Sequence, residues 1–372
     1  MNSATHKGLV EMDGFRGGTL RQLSLELGKN PGDPRLSGRL LQQYKLRDAC
    51  MIECTTKRGD RGTHEVDRIQ TINGLDPDEW MYVEDFARRT AVDPSERIKL
   101  TTAPTDVAMR VVDLLCPVGK GQRALIVSPP KAGKTILMQQ FAHAISTNHP
   151  EIDLLVLLVD ERPEEVTDMR RNIRGEVFAS SNDSDRDSHV HIAKLVLEYA
   201  KRKVEVGKDV VLLLDSLTRM GRAFNAVQRS SGRTMSGGVD IRALEIPKRI
   251  FGSARALEGG GSLTIIATAL IETNSRMDEL IFQEFKGTGN MELVLSRDLA
   301  NERIFPAISI PESGTRREEL LFGHETSKYQ ALRRALHRMK PKEAMLTLQK
   351  ATQQYATNRR LLDQFTAHLE KV

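Results

Sequence analysis

Cysteine is scarce in this 372-residue chain, and three residues, Cys50, Cys54 and Cys116, are too few for a disulfide framework. The Cys50/Cys54 pair lacks the second Cys or His pair that would complete a zinc site, so buried free thiols are expected. Long apolar runs are also missing. None reaches the roughly 18 residues that a membrane span needs, which excludes a transmembrane helix. The first residues, MNSATHKGLVEMDGF, have no apolar stretch behind their early lysine, so no secretory signal is read and a cytoplasmic protein without membrane contact is expected. Internal repeats and low-complexity tracts are absent as well, which sets solenoids and disordered scaffolds aside.

What is present is an ordinary soluble composition, 39% hydrophobic and 28% charged, in a chain long enough for two cores rather than one. The net charge is +5, but residues 1 to 100 hold 16 Lys or Arg against 16 Asp or Glu. A neutral N-terminal part is a poor non-specific phosphate binder, because such binding rests on Lys and Arg. The stretch from Arg219 to Arg255 holds eight Lys or Arg against only Asp240 and Glu245, so nucleic-acid contact is expected there.

Residues 8 to 72 break into short segments at GFRGG, GKNPGDP, TKRGDRG and INGLDPD, a spacing that suits a small β-barrel. We divide the chain into a barrel at 1–75, a linker at 76–110 containing the polar stretch TAVDPSERIKLTTAPTD, and a second domain at 111–372. In that second domain the Val/Ile/Leu runs RALIVS, IDLLVLLVDE, DVVLLLDS and SLTIIATALI alternate with amphipathic stretches. Continuous apolar runs suit parallel strands buried on both faces with helical crossovers, so the fold class is α/β.

Strand RALIVS leads into SPPKAGKT, Ser128 to Thr135, in the order strand, loop, helix that a phosphate-binding loop requires. Glycine admits close approach of the backbone, the amides at the helix start favour an anion, Lys134 reaches the outer phosphates of a nucleoside triphosphate, and Thr135 is placed to hold Mg2+. Ser128 stands where the strict pattern has its first glycine. Strand DVVLLLDS ends in Asp215, which fits the acidic residue that holds magnesium beside a phosphate loop. Strand IDLLVLLVDE ends in Asp160 and Glu161, and a carboxylate at that end faces the crevice where α/β ligands bind. Glu161 is therefore the candidate for polarising an attacking water, and capping of the helix from Pro163 is its structural alternative. In-line displacement at phosphorus also needs positive charge on the developing anion, and Arg316 in ESGTRREE is a candidate, with a surface ion pair as the competing account.

The runs LLVDERPEEVTDMRR, SGGVDIRALEIPKRIFGSAR, GGSLTIIATALIET and EFKGTGNMELVLSR together resemble the transcription termination factor Rho family, closely from Val111 to Leu321 and more loosely elsewhere. The resemblance implies a RecA-like P-loop ATPase domain preceded by an OB-type barrel, assembled as a homohexamer. Such a ring binds single-stranded RNA, acts as an RNA–DNA helicase, and releases RNA from RNA polymerase. It further implies that Gly119, Lys120, Gly121, Gln122, Arg123 and Ala124, together with Lys131, Ala132, Gly133, Lys134, Thr135 and Ile136, line ATP, with Arg162 nearby and Phe305 stacking on adenine. Glu161 would be the catalytic carboxylate, Arg316 the finger reaching across a subunit boundary, and Arg303 and Arg219 the sensors of the γ-phosphate. Two loops would grip RNA in the channel: Ser231 to Gly238, with Arg233, Thr234, Met235, Ser236, Gly237 and Gly238, and Glu272 to Arg276.

The N-terminal part departs from the family pattern. The sequence given starts at the barrel, without the small helical module of the family. Phe15 is retained, but Gly17 and Gly18 stand in place of a second aromatic, and Gly62, Thr63 and His64 where a tyrosine is expected. Stacking is worth about 1–3 kcal/mol per base, so capture of RNA by the barrel is weakened. Phe15, Trp80, Tyr82 and Phe86 read as core aromatics before they read as an RNA platform. Two alternatives stay open: an ATP-controlled ring-forming RNA-binding protein without termination activity, and a rotary-type ATPase subunit.

Overall fold

The computed structural model describes residues 4–14, 16–59, 63–227, 237–240 and 242–369. Its N-terminal strands close into a barrel because their apolar residues alternate, one face inward and one outward. The strands are β1 (Ala4–Met12), β2 (Gly17–Arg21), β3 (Arg35–Ser37), β4 (Met51–Arg58) and β5 (His64–Ile72), in the order β1-β2-β3-β5-β4 with β4 closing back on β1. Val10, Leu20, Leu36, Ile52, Cys54, Val66 and Ile69 point into one apolar core. Helix α1 (Gly38–Gln43) follows β3, its first turn capped by the Ser37 hydroxyl. Phe15 and Gly62 lie outside the described residues. Gly17 and Gly18 sit where a Cβ would meet the carbonyl oxygens of Leu36 and Glu11 at 2.8 and 2.6 Å, so close strand crossing demands glycine there.

The segment expected as a linker is built into the fold instead. After α2 (Pro77–Trp80), strand β6 (Ala91–Val92) pairs with β13 (Arg255–Leu257), and β7 (Arg97–Ile98) pairs with β8 (Val118–Gly119). The reason lies in apolar residues hidden among polar ones: Ile98 and Leu100 are fully buried, and the amides of Leu100 and Thr101 donate to the Asp113 carboxylate. Trp80 and Phe86 are buried as core residues, whereas Tyr82 is 90% exposed, which corrects its placement in the core.

The second domain is a mostly parallel sheet in the order β11-β10-β12-β14-β9-β15-β16. Its strands are β9 (Arg123–Ser128), β10 (Asp153–Glu161), β11 (Glu176–Ser181), β12 (Asp209–Asp215), β14 (Ser262–Leu270), β15 (Met291–Val294) and the antiparallel edge β16 (Gly314–Thr315). Helices α3 (Val107–Leu115), α4 (Lys134–Asn148), α5 (Pro163–Asn172), α6 (Arg186–Glu205), α7 (Leu217–Val227), α8 (Glu245–Gly252), α9 (Arg276–Lys286) and α10 (Arg297–Asn301) surround it. Along β10, Leu154, Val156 and Leu158 enter one core while Leu155, Leu157 and Val159 enter the other, as a strand covered on both faces requires. Helices α11 (Glu319–Phe322), α12 (Thr326–His337), α13 (Pro341–Gln354) and α14 (Asn358–Leu369) close the C-terminal end.

Barrel and sheet domain share a core, since Leu9, Leu27, Ala49 and Met51 pack with the residues beneath α6. Arg47 donates to Glu205 at 2.9 Å and lies 4.6 Å over the Trp80 ring, tying α6 to the barrel. The three cysteines are free and buried, and burial pushes their thiols up to about 11 for Cys50 and Cys54 and about 12 for Cys116. They are thus poor nucleophiles. Among the described residues no helix is long and apolar enough to cross a membrane.

Candidate functional site

Parallel strands place all their C-terminal ends on one edge, and that edge collects the chemistry. Ser128, Glu161 and Asp215 end β9, β10 and β12 there. The turn from β9 into α4 needs backbone that only glycine adopts easily: Gly133 has φ 91°, and Lys131 is also left-handed at φ 66°. Lys134 opens α4, with the Thr135 hydroxyl in the same first turn.

Lys134 Nζ lies 2.5 and 2.7 Å from the two oxygens of Asp215 and 3.8 Å from Glu161 Oε2. Asp215 Oδ1 also accepts from the Thr268 hydroxyl at 2.7 Å, which fixes the carboxylate. Glu161 is 2% exposed, and its Oε2 has no hydrogen-bond donor among the described residues. Arg219 NH2 stands 2.9 Å from Glu161 Oε1, and its NH1 donates to the Asp160 carbonyl. Burial, then the neighbouring Asp215 carboxylate, pushes the Glu161 carboxyl above its usual range, against the pull of Lys134 and Arg219. A buried carboxylate with a raised pKa and a free oxygen suits proton acceptance from water.

Beside the phosphate loop opens a cavity of about 590 Å³. Lys131, Ala132, Gly133 and Ile136 form one wall, and Arg303 and Phe305 the other. Phe305 is 45% exposed and its ring lies 3.5 Å from where a Gly133 Cβ would be, beside the loop. Gln349 of α13 holds the Phe305 carbonyl at 2.8 Å. An apolar slot with a presented ring is what a purine needs. Arg303 thus stands on the Phe305 side of the cavity, while Arg219 stands at Glu161. Arg162 is exposed just beyond Glu161.

The two segments expected to line ATP lie apart within the chain. Gly119 to Ala124 lie at the N-terminal end of β9, opposite the phosphate loop, at about 3.3 Å per residue along that strand. At that distance they stand apart from the same chain's Lys131 to Ile136, on the edge that also carries Arg316. They make a tight crossing: Gly121 has φ 90°, and a Cβ there would meet Ala256 N at 2.2 Å. Gln122 Nε2 donates to Asn290 Oδ1 at 2.7 Å, and Lys120 pairs with Glu96 and Asp209. Arg316 belongs to this same far edge, its amide bonded to the Asn290 carbonyl and its side chain exposed. The positive charges of Arg255 and Arg316 hold the nearby Arg123 guanidinium below its usual pKa, after burial as the leading cause.

Of the RNA-loop candidates, Arg233, Thr234, Met235 and Ser236 lie outside the described residues. Gly237 and Gly238 are left-handed at φ 87° and 77°. A Cβ on Gly237 would come within 3.0 Å of the Arg276 carbonyl, so the two loops abut. Arg276 is exposed at the start of α9, and Glu272 and Asn274 also adopt positive φ.

Sequence reasoning missed what connects these parts. Helix α7 carries Arg219, Arg222 and Asn225 at a spacing of three. Arg219 reaches Glu161, Arg222 Nε donates to Asp278 of α9 at 2.7 Å, and Asn225 holds the Gly238 carbonyl and the Asp240 amide. Thr268, inside an otherwise apolar strand, was a visible signal, since a buried hydroxyl needs a partner.

The nucleotide-binding domain of the ATP synthase alpha/beta family matches residues 108–315. Transcription termination factor Rho of Cereibacter sphaeroides is 49% identical over 360 residues, covering 95% of this chain and 85% of that protein. The factor of the same name from Streptomyces coelicolor is 53% identical over 330 residues, covering 88% and 78%. Among solved structures, an ATPase from the type III secretion system of pathogenic bacteria aligns with a TM-score of 0.62 at 20% identity, over 74% of this chain and 86% of that one. An ATP synthase subunit from Nanoarcheaum equitans aligns with a TM-score of 0.58 at 17% identity, over 76% and 78%. At such identities these structures speak for the RecA-like fold alone.

Proposed function

The chain belongs to the transcription termination factor Rho family, and from that premise we propose a ring-forming motor in which RNA held by the channel loops gates ATP hydrolysis. The protein binds and hydrolyses ATP and acts in transcription termination; the proposal concerns how its residues divide that work. Lys131 to Ile136 cradle the phosphates, Lys134 leaves Asp215 for the γ-phosphate, and Phe305 stacks on the base. Thr135 and Asp215 would hold magnesium, which would supply charge neutralisation to the phosphates. Glu161 accepts a proton from the attacking water through its free Oε2.

Arg316 lies at the edge of the sheet opposite its own phosphate loop, so in this reading it completes the site of a neighbouring subunit in a homohexamer, with Arg123 and Arg255 beside it. Gly237, Gly238 and Arg276, with the Arg233 to Ser236 stretch, would face single-stranded RNA in the channel. RNA polymerase is the complex acted on, and unwinding of an RNA–DNA hybrid would follow from translocation. The observation that carries the proposal is the single face of α7, which links Glu161 through Arg219 to both loops through Arg222 and Asn225.

The test is steady-state ATP hydrolysis with and without single-stranded RNA, using poly(C) and a mixed-sequence RNA in separate reactions. Strong stimulation is the expected outcome, with little preference for poly(C) because the barrel lacks the family's aromatics. An unstimulated enzyme that still binds ATP would overturn the gating and favour the ring-assembly alternative.

A further inference from the structure

A second concentration of positive charge, besides the stretch from Arg219 to Arg255, lies in the C-terminal helices. Residues 326–360 hold nine Lys or Arg and a single acid, Glu343, leaving 46 Lys or Arg against 49 Asp or Glu elsewhere. Three of the nine are engaged. Lys328 pairs with Asp363, Lys342 with Glu302, and Arg333 donates to the Ser313 carbonyl at 2.6 Å. The exposed side chains of Arg334, Arg338, Lys340, Lys350, Arg359 and Arg360 have no ion-pair or hydrogen-bond partner among the described residues.

Part of this charge converges. Helix α12 ends at His337 and α13 begins at Pro341, so Arg338 and Lys340 sit in the turn that opens α13. Lys340, Lys342, Glu343, Leu346, Thr347 and Lys350 line a shallow concavity of about 400 Å³. The opposite side of α13 is buried through Ala344, Met345, Leu348 and Thr352, so the basic face is held on a rigid element.

Unpaired cations of one sign on a fixed face repel one another, and a polyanion relieves that repulsion. Among the exposed residues from Arg334 to Lys350 the His337 imidazole is the one aromatic ring, so there is no row of rings on which successive bases of a single strand could stack. What such a face recognises is a regular row of phosphates. We infer that α13 and the turn before it form a second nucleic-acid site, separate from the channel loops, that binds the phosphate backbone of double-stranded DNA without sequence preference.

The test is binding of a short fluorescent duplex DNA to the full chain, in the presence and absence of saturating single-stranded RNA, across a salt series. Combined Arg338→Gln, Lys340→Gln and Lys350→Gln should weaken duplex binding at least about tenfold and flatten log affinity against log salt by about 0.9 per lost phosphate contact. ATP hydrolysis by the same variant should stay within about twofold of the parent, which shows that it is folded. Equal duplex affinity in parent and variant would overturn the site. So would loss of RNA binding with duplex binding intact, or competition by polyglutamate as strong as by DNA, which would mark a surface for an acidic protein.

Discussion

Arg219 NH2 stands 2.9 Å from Glu161 Oε1, so the carboxylate proposed to polarise water is clamped on one oxygen, while the other has no hydrogen-bond donor among the described residues. Replacing Glu161 with Gln keeps the shape and removes the base. Nucleotide binding should survive, while hydrolysis falls by about 10²- to 10⁴-fold, the usual contribution of a positioned base. Equilibrium binding of a fluorescent ATP analogue beside a steady-state assay separates the two. Normal hydrolysis by this variant would remove Glu161 from the role.

The same carboxyl sets a pH dependence. Burial and Asp215 raise its pKa, and the ionised form is the competent one. Hydrolysis should therefore be full above the raised pKa and fall as pH drops through it, starting at a higher pH than an ordinary carboxylate would give. Glu161→Gln should erase that limb from its residual rate. A parent profile flat down to the pH at which the protein unfolds would contradict the assignment.

Lys134 neutralises two buried carboxylates before it meets any phosphate, at 2.5 Å from Asp215 and 3.8 Å from Glu161. Lys134→Ala should lose productive nucleotide binding, and it leaves Asp215 and Glu161 facing each other without their shared cation. A loss of stability of roughly 1–3 kcal/mol is expected alongside, as for a buried charge deprived of its partner. Chemical denaturation of the unliganded protein reads this directly.

The phosphate site was legible in the sequence because Lys134, Thr135, Glu161 and Asp215 each stand at a strand or helix end, where local spacing and chemistry coincide. The separation of Gly119 to Ala124 from the phosphate loop was not legible, because Gly121 also serves the close crossing over Ala256. Close backbone approach and anion binding ask for the same residue. The segment 76–110 misled for another reason: Ile98 and Leu100 are single apolar residues in a polar run, too few to show a period, yet both are fully buried. The Arg222–Asp278 and Asn225–Gly238 links join residues far apart in sequence, and such pairings follow from the packed helices.

Arg222→Ala cuts the link between α7 and α9 without touching Glu161. Basal hydrolysis should stay within about threefold, while stimulation by RNA falls by about tenfold or more, given couplings of about 1–3 kcal/mol between sites. Asp278→Asn should behave alike, and the two together no worse than either alone if they act as one link. Full RNA stimulation in either variant would show that the loops signal by another route.

Arg316 makes the last prediction, because its exposed side chain lies at the end of the sheet opposite Lys134. If it completes a neighbour's site, Arg316→Ala alone should cost about 10³- to 10⁵-fold in hydrolysis, as loss of an arginine finger does, with ATP binding kept. Mixing is more telling. Lys134→Ala subunits lack the phosphate-loop lysine but keep Arg316, and Arg316→Ala subunits have the reverse. Each inactive preparation should regain measurable hydrolysis when the two are mixed and reassembled, since some boundaries then pair an intact loop with an intact arginine. Mixtures as inactive as either parent, in rings shown to contain both chains, would place Arg316 outside the active site and leave it as a surface charge.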